Sequence, residues 1–120
     1  MGTLKTVVSA LRTVFSRATH TVDIVRDTKT GTVTREQWWK GGKLDRSDGP
    51  AFSWRNAQTG ILTCEQWWKG GKLDRSDGPA FIVRNAATGA VTDEEWWKNG
   101  KQIKPPAPAT QATTAPPPQL

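Results

Sequence analysis

Tyrosine is absent from this chain of 120 residues, and cysteine and histidine occur once each. The lone Cys64 excludes an intrachain disulfide, and with His20 the only histidine the ligands of a zinc site are missing too. A disulfide-free array suits a reducing, cytoplasmic setting. No apolar run approaches the ~20 residues that cross a bilayer as a helix. Acidic residues are missing from residues 1–20, which hold Lys5, Arg12 and Arg17, and charge of either sign is missing from the last sixteen residues. The net charge of +6 is therefore split, with +3 in the first twenty residues and +3 over residues 21–104, where fourteen bases face eleven acids. So mild an excess over the body argues weakly for nucleic acid. Nor is there a catalytic set, since Cys64 stands where the other copies of its segment carry Arg35 and Asp93, and Glu94-Glu95 point to opposite faces of a strand.

What the chain does have is repetition. The sixteen residues Glu36 to Ala51, EQWWKGGKLDRSDGPA, return unchanged as Glu65 to Ala80, 29 residues later, and a third copy starts at Glu94 and stops after Lys101. Upstream, Arg26, Thr30-Gly31 and Thr34 recur as Arg55, Thr59-Gly60 and Thr63, then as Arg84, Thr88-Gly89 and Thr92. A fixed period of this kind marks units that bury their apolar faces only by stacking on a neighbour. Six of the seven tryptophans fall in the pairs Trp38-Trp39, Trp67-Trp68 and Trp96-Trp97, with Trp54 apart.

Within each unit the local signals are β. The segments 51–55 and 80–84 read as short strands, followed by a turn such as Asn56-Ala57-Gln58-Thr59-Gly60. Residues 32–40, 61–69 and 90–98 read as second strands. Gly41-Gly42, Gly70-Gly71 and Asn99-Gly100 then supply two-residue hairpin turns of the positive-φ kind. Asp48-Gly49-Pro50 and Asp77-Gly78-Pro79 break the chain before the next strand. The sum is a mainly β fold of antiparallel hairpin repeats, a single-layer meander of about six strands over residues 21–104. Residues 105–120 are Pro, Ala, Thr and Gln with a terminal Leu, a composition that reads as a disordered tail or linker.

Glu65-Gln66-Trp67-Trp68-Lys69-Gly70-Gly71-Lys72, a turn with Gly78, a strand and then Gly89 resemble the MORN repeat family (membrane occupation and recognition nexus) over about residues 22–101. The resemblance implies β-hairpins aligned into an elongated, twisted single-layer sheet. The period is longer than usual, tyrosine is missing, and Asp-Gly-Pro-Ala stands where Gly-x-Gly is typical. The text is similar to the Trp-x-x-Gly-Lys…Arg-x-Asp-Gly-Pro-Ala variants of bacterial and viral proteins.

Adjacent strand residues face opposite ways, so each tryptophan pair puts one indole on either side of the sheet. By alternation, Trp39, Trp68 and Trp97 share a face with Val33, Leu62 and Val91, which assigns them to the core. Trp38, Trp67 and Trp96 then fall on a wetter face, beside Lys40, Lys69 and Lys98. That second set is the candidate partner-binding surface, offered to a protein or, alternatively, to single-stranded nucleic acid or glycan by stacking. The competing use of the same indoles is structural, since large aromatics dominate packing where a core is scarce. For Asp45, Asp48, Asp74 and Asp77 a turn held by Asp and Arg46 or Arg75 outweighs calcium, because the ligand count is short.

The first segment reads as an amphipathic helix over residues 3–18. Leu4, Val7, Val8, Leu11, Val14 and Phe15 recur at helical spacing, with Lys5, Arg12 and Arg17 off the stripe. Such a helix either caps the sheet, as repeat arrays require, or touches an anionic membrane; it also has the composition of an organelle transit peptide, and Gly2 fits a loose myristoylation pattern. The expectation is a non-enzymatic adaptor or effector with no cofactor and no metal, binding another protein. An exposed end strand also makes it a candidate homodimer by edge pairing.

Overall fold

A computed structural model describes residues 9–106. It consists of strands joined by tight turns: β1 (Ala10–Arg17), β2 (His20–Asp27), β3 (Val33–Lys40), β4 (Lys43–Leu44), β5 (Phe52–Arg55), β6 (Leu62–Gln66), β7 (Trp68–Lys69), β8 (Lys72–Leu73), β9 (Phe81–Arg84), β10 (Val91–Lys98) and β11 (Lys101–Ile103). One antiparallel sheet runs β1-β2-β3-β5-β6-β9-β10-β11 with β4 beside β3, while β7 and β8 form a two-stranded ribbon. The antiparallel hairpin sheet is as the repeats predict. It has more strands than about six because each hairpin tip adds a short strand of its own and the first segment adds β1.

The N-terminal helix is a misreading. Among the described residues there is no helix, and Ala10–Arg17 pairs along its whole length with β2, from Ala10 opposite Asp27 to Arg17 opposite His20. Thr13, Val14 and Phe15 are poor helix formers and good strand formers, and a facing strand rich in Thr, Val and Ile decides the outcome. Leu11, Phe15 and Arg17 thus lie on one face of a strand and Arg12 on the other, where it makes a forked pair with Asp23 at 2.8 to 3.0 Å. Leu4, Lys5, Val7 and Val8 lie outside the described residues, as does the tail from residue 107.

Each repeat is fastened at both ends. At one end Asp27, Asn56 and Asn85 accept, through Oδ1, the N–H groups two and three residues ahead. These side chains mimic a backbone turn, which is why Asp or Asn recurs there. At the other end the hairpin turns have φ of 58° and 78° at Gly41-Gly42 and 51° and 78° at Asn99-Gly100, the left-handed values such two-residue turns require. Successive hairpins bond tip to tip, Arg46 N–H to Trp68 C=O at 3.0 Å and Gly71 N–H to Leu44 C=O at 2.9 Å. The next pair repeats this with Arg75 to Trp97 and Gly100 to Leu73.

The core lies on one face only. Val22 (1 % exposed), Trp38 (8 %), Ala51, Ala80 and Ile82 are buried, with Ile24, Leu44 and Trp68 packed against the Val22–Trp38–Ala51 cluster. Trp38 is opposite Val22 in the β2–β3 register and so shares its face. In the first pair it is therefore Trp38, not Trp39, that belongs to the core.

The reason is a β-bulge in every repeat. Register slips between Val25/Arg26, Trp54/Arg55 and Val91/Asp93, so that Arg35, Cys64 and Asp93 pair one place and Val33, Leu62 and Val91 the next. The extra residue is Thr34, Thr63 and Thr92, and each donates its hydroxyl to the facing strand, to the carbonyls of Val25, Trp54 and Val83. An inserted residue reverses strand parity beyond it. Val33, Leu62 and Val91 consequently share a face with Trp38, Trp67 and Trp96.

Candidate functional site

The loops after β4 and β8 fold back over the buried face and give their conserved-in-copy residues a structural job. The Arg46 guanidinium lies 4.0 Å from the Trp38 ring centroid and that of Arg75 lies 3.9 Å from Trp67. Behind each guanidinium runs a glycine, and a Cβ on Gly49 or Gly78 would stand 2.9 or 2.7 Å from the arginine Cζ. The arginine is thus held between an indole and a bare backbone. Asp48 and Asp77 bond the Nε at 2.9 and 3.0 Å, and the carbonyls of Pro50 and Pro79 accept from Nη1. Arg46, first by hydrogen bond and then by charge, holds the Asp48 carboxyl below its ordinary range. Trp38 N–H to Ala51 C=O and Trp67 N–H to Ala80 C=O, each 2.8 Å, close the loops, and the Cβ of Ala51 and Ala80 fills the space left.

The other aspartates tie repeats together. Asp45 accepts from the Gly70 N–H at 2.8 Å and meets His20 Nε2 at 2.8 Å. Burial pushes the Asp45 carboxyl upward, but the bonds from His20 and Gly70 outweigh it and hold it below the carboxylate range. Asp74 accepts from the Asn99 N–H and from Lys98 Nζ. None of these carboxylates is gathered for a metal, and among the described residues no group of three or more His, Cys, Asp or Glu is placed to hold one. Cys64 is half-buried, and burial pushes its thiol up, away from a reactive thiolate.

The six candidate binding residues accordingly separate. Trp38 is buried beneath Arg46, Trp67 half-buried beneath Arg75, and Trp96 half-buried with no guanidinium over it among the described residues. Lys40 and Lys69 are exposed at the hairpin ends, while Lys98 is engaged with Asp74 and Ser76. Trp38 borders a cleft of about 240 Å³ with His20 and Arg46, and two tryptophans of the second set border a larger one. Trp68 and Trp97 line a groove of about 460 Å³ between adjacent hairpins, rimmed by Lys72 and Lys101 and floored by Leu73 and Gly100. Sequence alternation missed this groove because it could not see the threonine bulge; the repeated Thr34, Thr63 and Thr92 are the signal that marks it. Further apolar groups are exposed at Leu11, Val14 and Phe15 on the β1 edge and at Trp54, which is 46 % exposed and stacks on Phe52.

Among the described residues no helix is long and apolar enough to cross a membrane. No protein family, no curated protein and no solved structure matches the chain.

Proposed function

We propose that this chain is a non-enzymatic repeat module that binds another protein through the hairpin side of its β-array, as its MORN-like sequence implies. The observation that carries this reading is the groove lined by Trp68 and Trp97 and rimmed by Lys72 and Lys101. Two indoles held apart by a fixed repeat offer rigid apolar contact at little entropic cost, which is the chemistry of interface hot spots. The rim lysines select a partner that brings an acidic group beside its apolar anchor. Trp68 is held by its Nε1–H bond to Gln66 at 3.0 Å and Trp97 by its bond to Glu95 at 2.8 Å, so both rings are positioned before a partner arrives.

The test is capture from an extract of the source cells with the full chain as bait, compared with the double variant Lys72→Glu/Lys101→Glu. Both lysines are exposed, and a melt of the variant beside wild type shows whether it stays folded. A stoichiometric protein partner, retained by the wild type after nuclease treatment and lost by the variant, is the expected result. Retention of nucleic acid alone, collapsing as salt rises, would replace this reading with single-strand stacking.

A further inference from the structure

In the first two repeats an arginine covers the inner indole and the following strand covers the edge, and in the third neither is found among the described residues. Arg46 stacks on Trp38 and also reaches Glu36, two residues earlier, at 3.4 Å. Glu94 and Trp96 stand in the corresponding places of the third repeat. Among the described residues nothing cationic stacks on Trp96, and Glu94 has neither an ion pair nor a side-chain hydrogen bond. The position equivalent to Arg46 and Arg75 is Lys104, which is exposed, and Pro105-Pro106 follow in place of Ser-Asp.

Among the described residues the edge is unpaired at the same point. β5 pairs along Arg35–Gln37 of β3, and β9 pairs along Cys64–Gln66 of β6. The matching stretch of β10, Asp93 to Glu95, has β9 on one side, and on the other no strand among the described residues, since β11 covers only Trp96 to Lys98. Unpaired edge groups are a template for an added strand. An indole with a carboxylate beside it selects a planar guanidinium, which stacks and forks where an ammonium does not. Glu94, on the same strand face as Trp96, sets the sign of the incoming chain. Residues 105–120 carry no charge and cannot supply that cation. In a second copy Arg46 and Arg75 are already committed to their own indoles.

We infer that the C-terminal end of the array is a docking slot for an extended segment of a different polypeptide that carries an arginine six residues ahead of its strand. Arg46 precedes Phe52–Arg55 by that spacing, and Arg75 precedes Phe81–Arg84. The inference rests on the protein-binding reading but concerns a surface separate from the Trp68–Trp97 groove, so the two fail separately.

The probe is a synthetic peptide of the chain's own residues 73–84, titrated into the full chain by calorimetry. Saturable one-to-one binding is expected, weakening at least about tenfold when the peptide's Arg75 is replaced by alanine. Glu94→Gln in the full chain, at an exposed position, should weaken binding severalfold without moving the melt, and Lys72→Glu/Lys101→Glu should bind the peptide like wild type. No binding by the folded chain, or equal binding of the arginine and alanine peptides, would overturn the slot and leave the groove standing. Binding seen only after residues 107–120 are removed would overturn it in favour of the chain's own tail. Self-association that the peptide competes away would overturn the choice of partner in favour of a second copy.

Discussion

Gly49 and Gly78 are buried, and neither has a left-handed φ, so alanine at either position carries no backbone strain. At such a site Gly→Ala ordinarily stabilises by about 0.4–1 kcal/mol through the unfolded chain. Here the new Cβ would meet the arginine Cζ at 2.7 Å in the case of Gly78, and the guanidinium must leave the Trp67 ring. Gly78→Ala is therefore expected to destabilise by about 1–3 kcal/mol, with a shift in tryptophan emission, and a chemical melt reads the sign directly. A second prediction concerns the bulge. Thr63→Val keeps the shape but loses the hydroxyl bond to the Trp54 carbonyl at 3.0 Å, which should cost about 0.5–1.5 kcal/mol. Ser76→Ala, which removes an exposed hydroxyl that caps no bulge, should cost less; equal losses would mean that the threonine bond does not hold the bulge.

Among the elements, the hairpin tips are the joints of the array. Asp45 links the β3–β4 tip to the β7–β8 tip through Gly70 and to β2 through His20. Its carboxyl is held below the usual range, so the folded state releases its proton more readily than the unfolded chain does. The stability this contributes is present above the ordinary carboxylate value, 3.8, and is lost as pH falls through the lower folded value. Melting temperature should thus drop as pH falls below about 4, with Asp27 and Asp48, both also held low, adding to the slope. Asp45→Asn should melt lower than wild type at neutral pH and converge with it in acid. Parallel curves at all pH values would remove Asp45 from the acid response.

For the whole molecule, a sheet with one covered face is stable only if its ends are covered too. β1 lies beside β2 and shields Val22, although Leu11, Val14 and Phe15 remain exposed on it. Removing residues 1–17 should uncover Val22 and the Trp38 cluster, lower the denaturation midpoint and reduce the m-value in proportion to the surface no longer buried. A truncated chain with an unchanged midpoint and m-value would show that β1 is an appendage and not part of the cooperative unit. At the other end the third repeat keeps its hairpin, and among the described residues neither an arginine on Trp96 nor a strand beside Asp93 to Glu95 completes it as in the first two.

The sequence by itself determined the period, the antiparallel hairpins, the Gly-Gly and Asn-Gly turns and the turn at Asn56 to Gly60, because these depend on residues close along the chain. It also carried the pairing of Arg46 and Arg75 with the neighbouring aspartates, two residues apart. Only the tertiary structure decided which tryptophan is buried, since a single threonine inserted against the facing strand reverses the alternation that sequence reading counts on. It likewise decided that Ala10–Arg17 is a strand: the apolar spacing of that segment suits a helix as well, and its β-branched residues prevail only when His20–Asp27 is there to pair with. Local chemistry sets what each segment can be, and the partner across the sheet selects what it is.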